Sequence, residues 1–366
     1  MPIAGRREKI LSRQWIKRLA ALGIVTFIVT GCAHLSYYWQ AATGQLALNA
    51  ARRPIPEVLA DPSTPAQLRR KLELAQQIRA YAVRELGLPD NKSYTSYADL
   101  KRPYVSWNVV ATPELSLQAK QWCFPIAGCV SYKGFFDENA AKTFAQALRS
   151  EGWEVYVSGV PAYSTLGWFE DPLLNTFIYY PDVELARLIF HELAHRLLYV
   201  KGDSSFNESF ASAVEEFGVE RWMNTHGDET SRMQYAVFTQ YKRDFHALLA
   251  TTRKELEEAY KSGSDEDKRI RKAQIFAALR AKYEKLKGER WNGYAGYDRW
   301  FAQPLGNAHL AGVATYTQWV PAFRNLLKRE AYDIRKFYVA AQQIAMLDQA
   351  ERNAALEQLV NWQSKH

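Results

Sequence analysis

His191-Glu192-Leu193-Ala194-His195 is an H-E-x-x-H pentapeptide set in a segment whose apolar residues recur at helical spacing. On a helix, residues four apart share a face, so the two imidazoles point at one ion. Glu192 then stands close enough to reach a water held on that ion. Such a set leaves the ion one open position, the arrangement of catalytic zinc, and the chemistry it suits is metal-assisted hydrolysis, of a peptide bond first. In a chain of this His and Glu content a chance match has a likelihood of roughly one per cent, so the surrounding residues must decide. Here the motif sits mid-helix, and an acidic candidate, Glu208, opens the next helical segment.

The stretch Phe206-Asn207-Glu208-Ser209-Phe210-Ala211-Ser212 is similar to the N-E-x-F-A-S stretch of gluzincin aminopeptidases. The resemblance implies one Zn2+ held by His191, His195 and Glu208. Only twelve residues lie between His195 and Glu208, fewer than in the best-known gluzincins. The connection must be tight, and Asp203 or Glu215 are the alternative ligands. Glu215 lies two turns beyond Glu208 on the same face, where a hydrogen bond to a ligand histidine suits it better. Further stretches, Cys123-Phe124-Pro125-Ile126-Ala127-Gly128-Cys129-Val130, Gly134-Phe135-Phe136-Asp137 and Tyr163-Ser164-Thr165-Leu166-Gly167-Trp168-Phe169, resemble the bacterial "putative aminopeptidase" lipoprotein family, over roughly residues 60 to 360. The G-x-M-E-N segment with which gluzincin aminopeptidases grip a free amino terminus does not occur, so aminopeptidase action comes with the family and not from residues.

In the implied mechanism zinc acidifies its water and polarises the scissile carbonyl. Glu192 is the general base that takes the proton and passes it to the leaving amine. An oxyanion donor is also needed; Tyr316 and His309 are the candidates, with ordinary packing as the alternative for either. Residues 155–169, with Tyr163, Ser164, Thr165 and Gly167, are placed in sequence to offer an edge to an extended peptide, or else form a simple turn.

Location follows from the N-terminus. Of the formal charge of +8, residues 1–31 hold six basic residues against Glu8, a net of +5, leaving +3 for the remainder. No basic stripe interleaved with aromatics stands out, which argues against nucleic acid. The basic stretch precedes an apolar run over residues 19–29, the shape of a signal peptide. Val29-Thr30-Gly31-Cys32 resembles a bacterial lipobox, which makes Cys32 a lipidated new N-terminus; a retained signal anchor is the alternative. With Ala33 next, resemblance to Gram-negative lipoproteins implies an outer-membrane anchor facing the periplasm. Cys123 and Cys129 in that oxidising compartment are expected to form a disulfide.

With 48% apolar residues the chain has ample material for a large core. The fold expected is α+β: a small mixed or antiparallel sheet region, then a zincin-like two-helix metal site, then a mainly helical C-terminal half. The boundaries read as a signal peptide over 1–31, a Pro-rich tether over 32–62 and a peptidase domain over 63–366, mixed to about 180 and helical from about 181. Helices are expected over 66–86, 137–150, from Pro181-Asp182 (Asp182 as N-cap) to near Lys201, over 205–224, and broadly across 228–287 and 318–364. Strands are expected near 104–110 and 153–157, and an irregular aromatic loop over 291–297. Two other functions fit the same residues: an envelope scaffold or chaperone-like lipoprotein with a structural zinc, and a hydrolase of cell-wall peptides. An intact Glu192 favours an enzyme, since a structural site has no use for a general base.

Overall fold

The computed structural model describes residues 37–124, 128–162, 164–165 and 169–362. The chain divides into two units at Ala50. In the first, residues 37–50 form helix α1. The second is an α+β body, and its small sheets and long helices match the architecture expected from the sequence.

The body starts earlier than the tether reading placed it. Strand β1 (Arg52–Pro54) pairs antiparallel with β2 (Ser96–Ala98), which pairs in parallel with β8 (Leu173–Leu174). Pro54 sits on an edge strand, where a missing N–H costs no ladder bond, and Pro56 lies in the first turn of helix α2 (Ile55–Ala60). Ile55 and Val58 are 2% exposed, so these prolines serve core structure rather than a spacer.

A second sheet is antiparallel, in the order β6 (Lys133–Phe135), β3 (Ser106–Thr112), β7 (Glu154–Val160), with Val109 opposite Val157. Helix α4 (Glu138–Ser150) covers it, capped by Asp137, whose carboxylate accepts from Ala140 N at 2.7 Å. The β4–β5 hairpin (Trp122–Phe124 and Gly128–Val130) sets Cys123 opposite Cys129, and the two are joined by a disulfide.

Helix α5 (Asp182–Leu197) carries the H-E-x-x-H residues and packs on α6 (Ser204–His226), which carries Glu208. A Cβ at Gly218 of α6 would meet Leu86 at 2.6 Å and Phe190 at 2.9 Å, so glycine there lets the two helices close up beside His191. Asp182 does not cap α5: its carboxylate takes Lys71 of α3 (Ala66–Arg84) at 2.6 Å and Arg70 at 3.2 Å, tying the helix start to its neighbour. The body continues through α7 (Glu229–Ala259), α8 (Asp265–Glu289), the short α9 (Asp298–Phe301), α10 (Asn307–Thr317), α11 (Val320–Arg329), α12 (Ile334–Ala345) and α13 (Gln349–Val360). An aromatic core of Phe245, Tyr283, Trp291 and Phe301 joins α7 to α9. Phe206 and Phe210 pack against Phe323 and Phe337 to fix α6 on α11 and α12.

One buried ion pair locks the end of the chain to the metal-site helices. Asp203 caps α6 by accepting from Phe206 N at 3.0 Å, and its other oxygen takes Arg352 Nε of α13 at 2.8 Å. Both side chains are under 10% exposed. Removing one partner leaves an uncompensated buried charge, so Arg352→Met should lower the unfolding free energy by roughly 3–5 kcal/mol in urea denaturation. A loss below about 1 kcal/mol would show that Asp203 is solvated or otherwise satisfied.

Candidate metal centre

Three electron-rich atoms converge where α5 meets α6. His191 Nε2 is 3.1 Å from Glu208 Oε2 and 3.2 Å from His195 Nε2, and His195 Nε2 is 3.5 Å from the same Glu208 oxygen. Ligands about 2.0–2.1 Å from a tetrahedral ion stand ~3.3 Å apart, so these spacings are those of one ion's coordination sphere. Glu215 Oε2 lies 2.8 Å from His191 Nδ1, and a carboxylate can only accept, so Nδ1 carries the proton. Nε2 of His191 then faces inward, toward a carboxylate and a second imidazole. Such a group of donor atoms could hold a metal ion. Two imidazoles and one carboxylate suit zinc.

The carboxylates of the cluster favour positive charge on its imidazoles. Burial works against a charge on His191, yet hydrogen bonds to Glu208 and Glu215 push its pKa up to about 10. Burial also disfavours an ionised Glu208, but the two imidazoles pull it down to about 2. Glu192, 9% exposed, stays above the ordinary carboxyl range because of burial, only partly offset by His191 and His195. A proton acceptor of raised basicity thus stands beside the cluster.

The orientation of His191 rests on a clamp beyond the cluster. Glu215 is held by Arg187 at 3.0 Å and by Lys242 of α7 at 3.2 Å, both on Oε1, which leaves Oε2 for the imidazole. Arg187 lies one turn before His191, where a sequence reading could have sought it; nothing in the sequence signals Lys242. His195 is fixed differently. Its Nδ1 is buried with no partner among the described residues, and its ring stands edge-on to His191 at 4.8 Å.

The tight connection is built from Leu198 to Asp203. Asn207 Nδ2 donates to Val200 O at 2.8 Å, and Val200 N donates to Asn207 Oδ1 at 2.7 Å, so the residue before Glu208 folds the loop back on its own helix. Gly202 takes φ +83°, and Gly128 of the disulfide hairpin fits against it so closely that a Cβ there would lie 2.7 Å from Gly202 N. Ser209 Oγ accepts from Trp319 N at 3.0 Å, bracing the other side of Glu208. The Asn and Ser of the N-E-S stretch are therefore structural clamps around the acid.

Other sequence candidates fall in different places. Asp203 caps α6 and pairs with Arg352, so it is no ligand. His309 is not brought to the cluster: its Nδ1 accepts from Gly306 N at 3.2 Å and its ring packs on Tyr156 at 4.4 Å, which makes it the cap of α10. Tyr316, at the other end of α10, has 40% of its surface exposed. The charge of Glu208, then burial, then Tyr132 and Glu192 hold its phenol proton well above the ordinary range. The expected substrate edge divides. β7 ends at Val160 as an edge strand, whereas Thr165 N donates to Asp171 at 3.2 and 3.3 Å and Thr165 Oγ1 exchanges bonds with Phe169, so Thr165 spends its own N–H within the chain. Ser164 is in no strand. Tyr163, Gly167 and Cys32 lie outside the described residues. Arg196, next to His195, donates to Phe169 O at 3.1 Å.

Tyr94 was not singled out from sequence. It is 2% exposed with φ +63°, an outlier for an aromatic residue, held by Tyr94 N to Asp171 O at 2.7 Å and Gln76 to its carbonyl. Its phenol stays protonated well above the usual range, through burial and then the charge of Glu192.

Residues 36–356 match a protein family described as "Putative aminopeptidase". No curated protein and no solved structure matches the chain.

If Glu215 orients His191 as this geometry requires, Glu215→Gln should weaken metal binding by roughly 10–100-fold in a competition titration with a chelating dye. Unchanged affinity would mean that His191 is oriented without it.

Proposed function

The chain belongs to the family described as "Putative aminopeptidase", and on that premise we propose that it is a zinc-dependent peptidase centred on His191, His195 and Glu208. The observation that carries the reading is the convergence of those three atoms at 3.1, 3.2 and 3.5 Å, with buried Glu192 beside them. A structural zinc site is closed by four protein ligands, whereas the donor group found among the described residues has three, which favours a site that admits substrate.

When bound, zinc supplies Lewis acidity, lowering the pKa of water and polarising a carbonyl. Glu192 accepts a proton from the attacking water and delivers it to the leaving amine; its raised basicity, from burial, suits both transfers. Tyr316 keeps its proton under the influence of Glu208 and donates a hydrogen bond to the oxygen on which negative charge develops. Glu215, with Arg187 and Lys242 behind it, keeps Nδ1 of His191 protonated and Nε2 aimed inward. Preference for the amino end of a peptide comes from the family description.

The proposed setting is the periplasmic face of a membrane, through a lipid on Cys32 after removal of residues 1–31. The support is the basic and apolar leader followed by Val29-Thr30-Gly31-Cys32. No helix among the described residues is long and apolar enough to cross a membrane.

Profiling the products of a peptide library tests activity and cleavage position together. Glu192→Gln should lower kcat by at least about 10²-fold while stoichiometric zinc stays bound. Tyr316→Phe should cost about 10²–10³ in kcat with little change in KM. Wild-type protein that carries zinc and cleaves nothing, or a fully active Glu192→Gln protein, would remove the enzymatic reading.

A further inference from the structure

We propose that the Cys123–Cys129 disulfide positions Glu208 for its metal, so that the affinity of the centre depends on whether this bond is closed or reduced. The inference rests on the metal-binding reading of His191, His195 and Glu208 given above. Strands β4 and β5 have three residues each and, among the described residues, pair with one another alone. A two-stranded hairpin of that size is marginal in water by itself. The cross-strand bond supplies the closure that two short strands lack. Both cysteines are exposed, so a dithiol can reach their sulfurs. One thiolate of the dithiol bonds to a cysteine sulfur and the S–S bond breaks; the second thiolate then displaces that cysteine. The dithiol leaves as a disulfide, and the two protein sulfurs take up two electrons and two protons as thiols.

The hairpin lies on the loop that delivers Glu208. A Cβ on Gly128 would stand 2.7 Å from Gly202 N and 3.0 Å from Gly202 Cα, and one on Gly202 would lie 3.7 Å from Cys129 N. The contact is backbone against backbone, so no flexible side chain is there to follow the hairpin if it moves. Gly202 precedes Asp203, the cap of α6, and Asp203 N donates to Val200 O at 3.2 Å. Val200 in turn exchanges bonds with Asn207, the neighbour of Glu208. A shift at Gly202 therefore reaches the cap and the residue beside the acid together. The exit of the hairpin bears on α10: Val130 is buried, and Ser131 Oγ lies 3.3 Å from Thr315 Oγ1, next to Tyr316. With the disulfide reduced, the loop from Leu198 to Asp203 opens locally more often, and Glu208 is held less firmly against the histidines.

Three forms of the full chain test this: oxidised protein, protein reduced with a phosphine, and the Cys123→Ser/Cys129→Ser variant. All are capped with iodoacetamide, which treats Cys32 alike, and desalted before use. In metal-free protein, amide exchange over residues 198–203 should speed at least about tenfold in the two opened forms while the rest of the body keeps its protection. The Kd for zinc, read with a chelating dye, should rise about 10–100-fold in the same two forms. Gly128→Ala, which presses on Gly202 with the disulfide intact, should weaken zinc binding in the same direction. Exchange over 198–203 that ignores the disulfide, or an equal Kd in all three forms, would overturn the proposal and leave the metal reading standing. So would unfolding of the opened forms by circular dichroism, since the bond would then hold the fold as a whole rather than this loop. Oxidised protein that binds no zinc would instead remove the metal reading, and the proposal with it.

Discussion

Three electron-rich atoms within about 3.5 Å of one another make up the constraint on which the rest of this structure depends. Two imidazoles and a carboxylate brought together in a buried place need positive charge among them, which a proton on His191 or a metal ion can supply. Every element around them acts to hold that arrangement. Gly218 lets α5 and α6 approach at the level of His191, Asn207 folds the connecting loop onto its own helix, and the aromatic cluster of α6, α11 and α12 fixes the helix that carries Glu208.

The clamp on Glu215 shows how the helical half of the body serves the site. One carboxylate oxygen is shared by Arg187 and Lys242, and the other orients His191. Lys242 comes from α7, a helix with much of its surface in water, so a surface-facing element contributes one residue to the centre. The C-terminal helix acts at a similar remove, through Arg352 on the cap of α6. The disulfide hairpin and helices α5, α6 and α13 thus meet around one short loop.

Part of this was legible in sequence because local spacing determines it. The i, i+4 histidines share a face on any helix, and the alternation around Trp153-Val157 reads as a strand from its period alone. What depended on partners far along the chain was not legible. Asp182 looks like an N-cap until Lys71 and Arg70 arrive to take its carboxylate. His309 and Tyr316 stand on one helix seven residues apart, and nothing local says which end meets the metal helices. The long charged stretch over 228–287 reads as continuous, but it breaks near Gly263, whose φ of +95° makes the turn into α8. The Pro-rich composition of residues 52–62 suggested a spacer, while burial of Ile55 and Val58 and pairing with β2 make it part of the core.

X-ray absorption at the zinc edge of protein loaded with one equivalent of zinc tests the central claim most directly. The account predicts a first shell of nitrogen and oxygen at about 2.0–2.1 Å, with scattering from two imidazole rings. A sulfur neighbour, a third imidazole or a six-oxygen shell would contradict it.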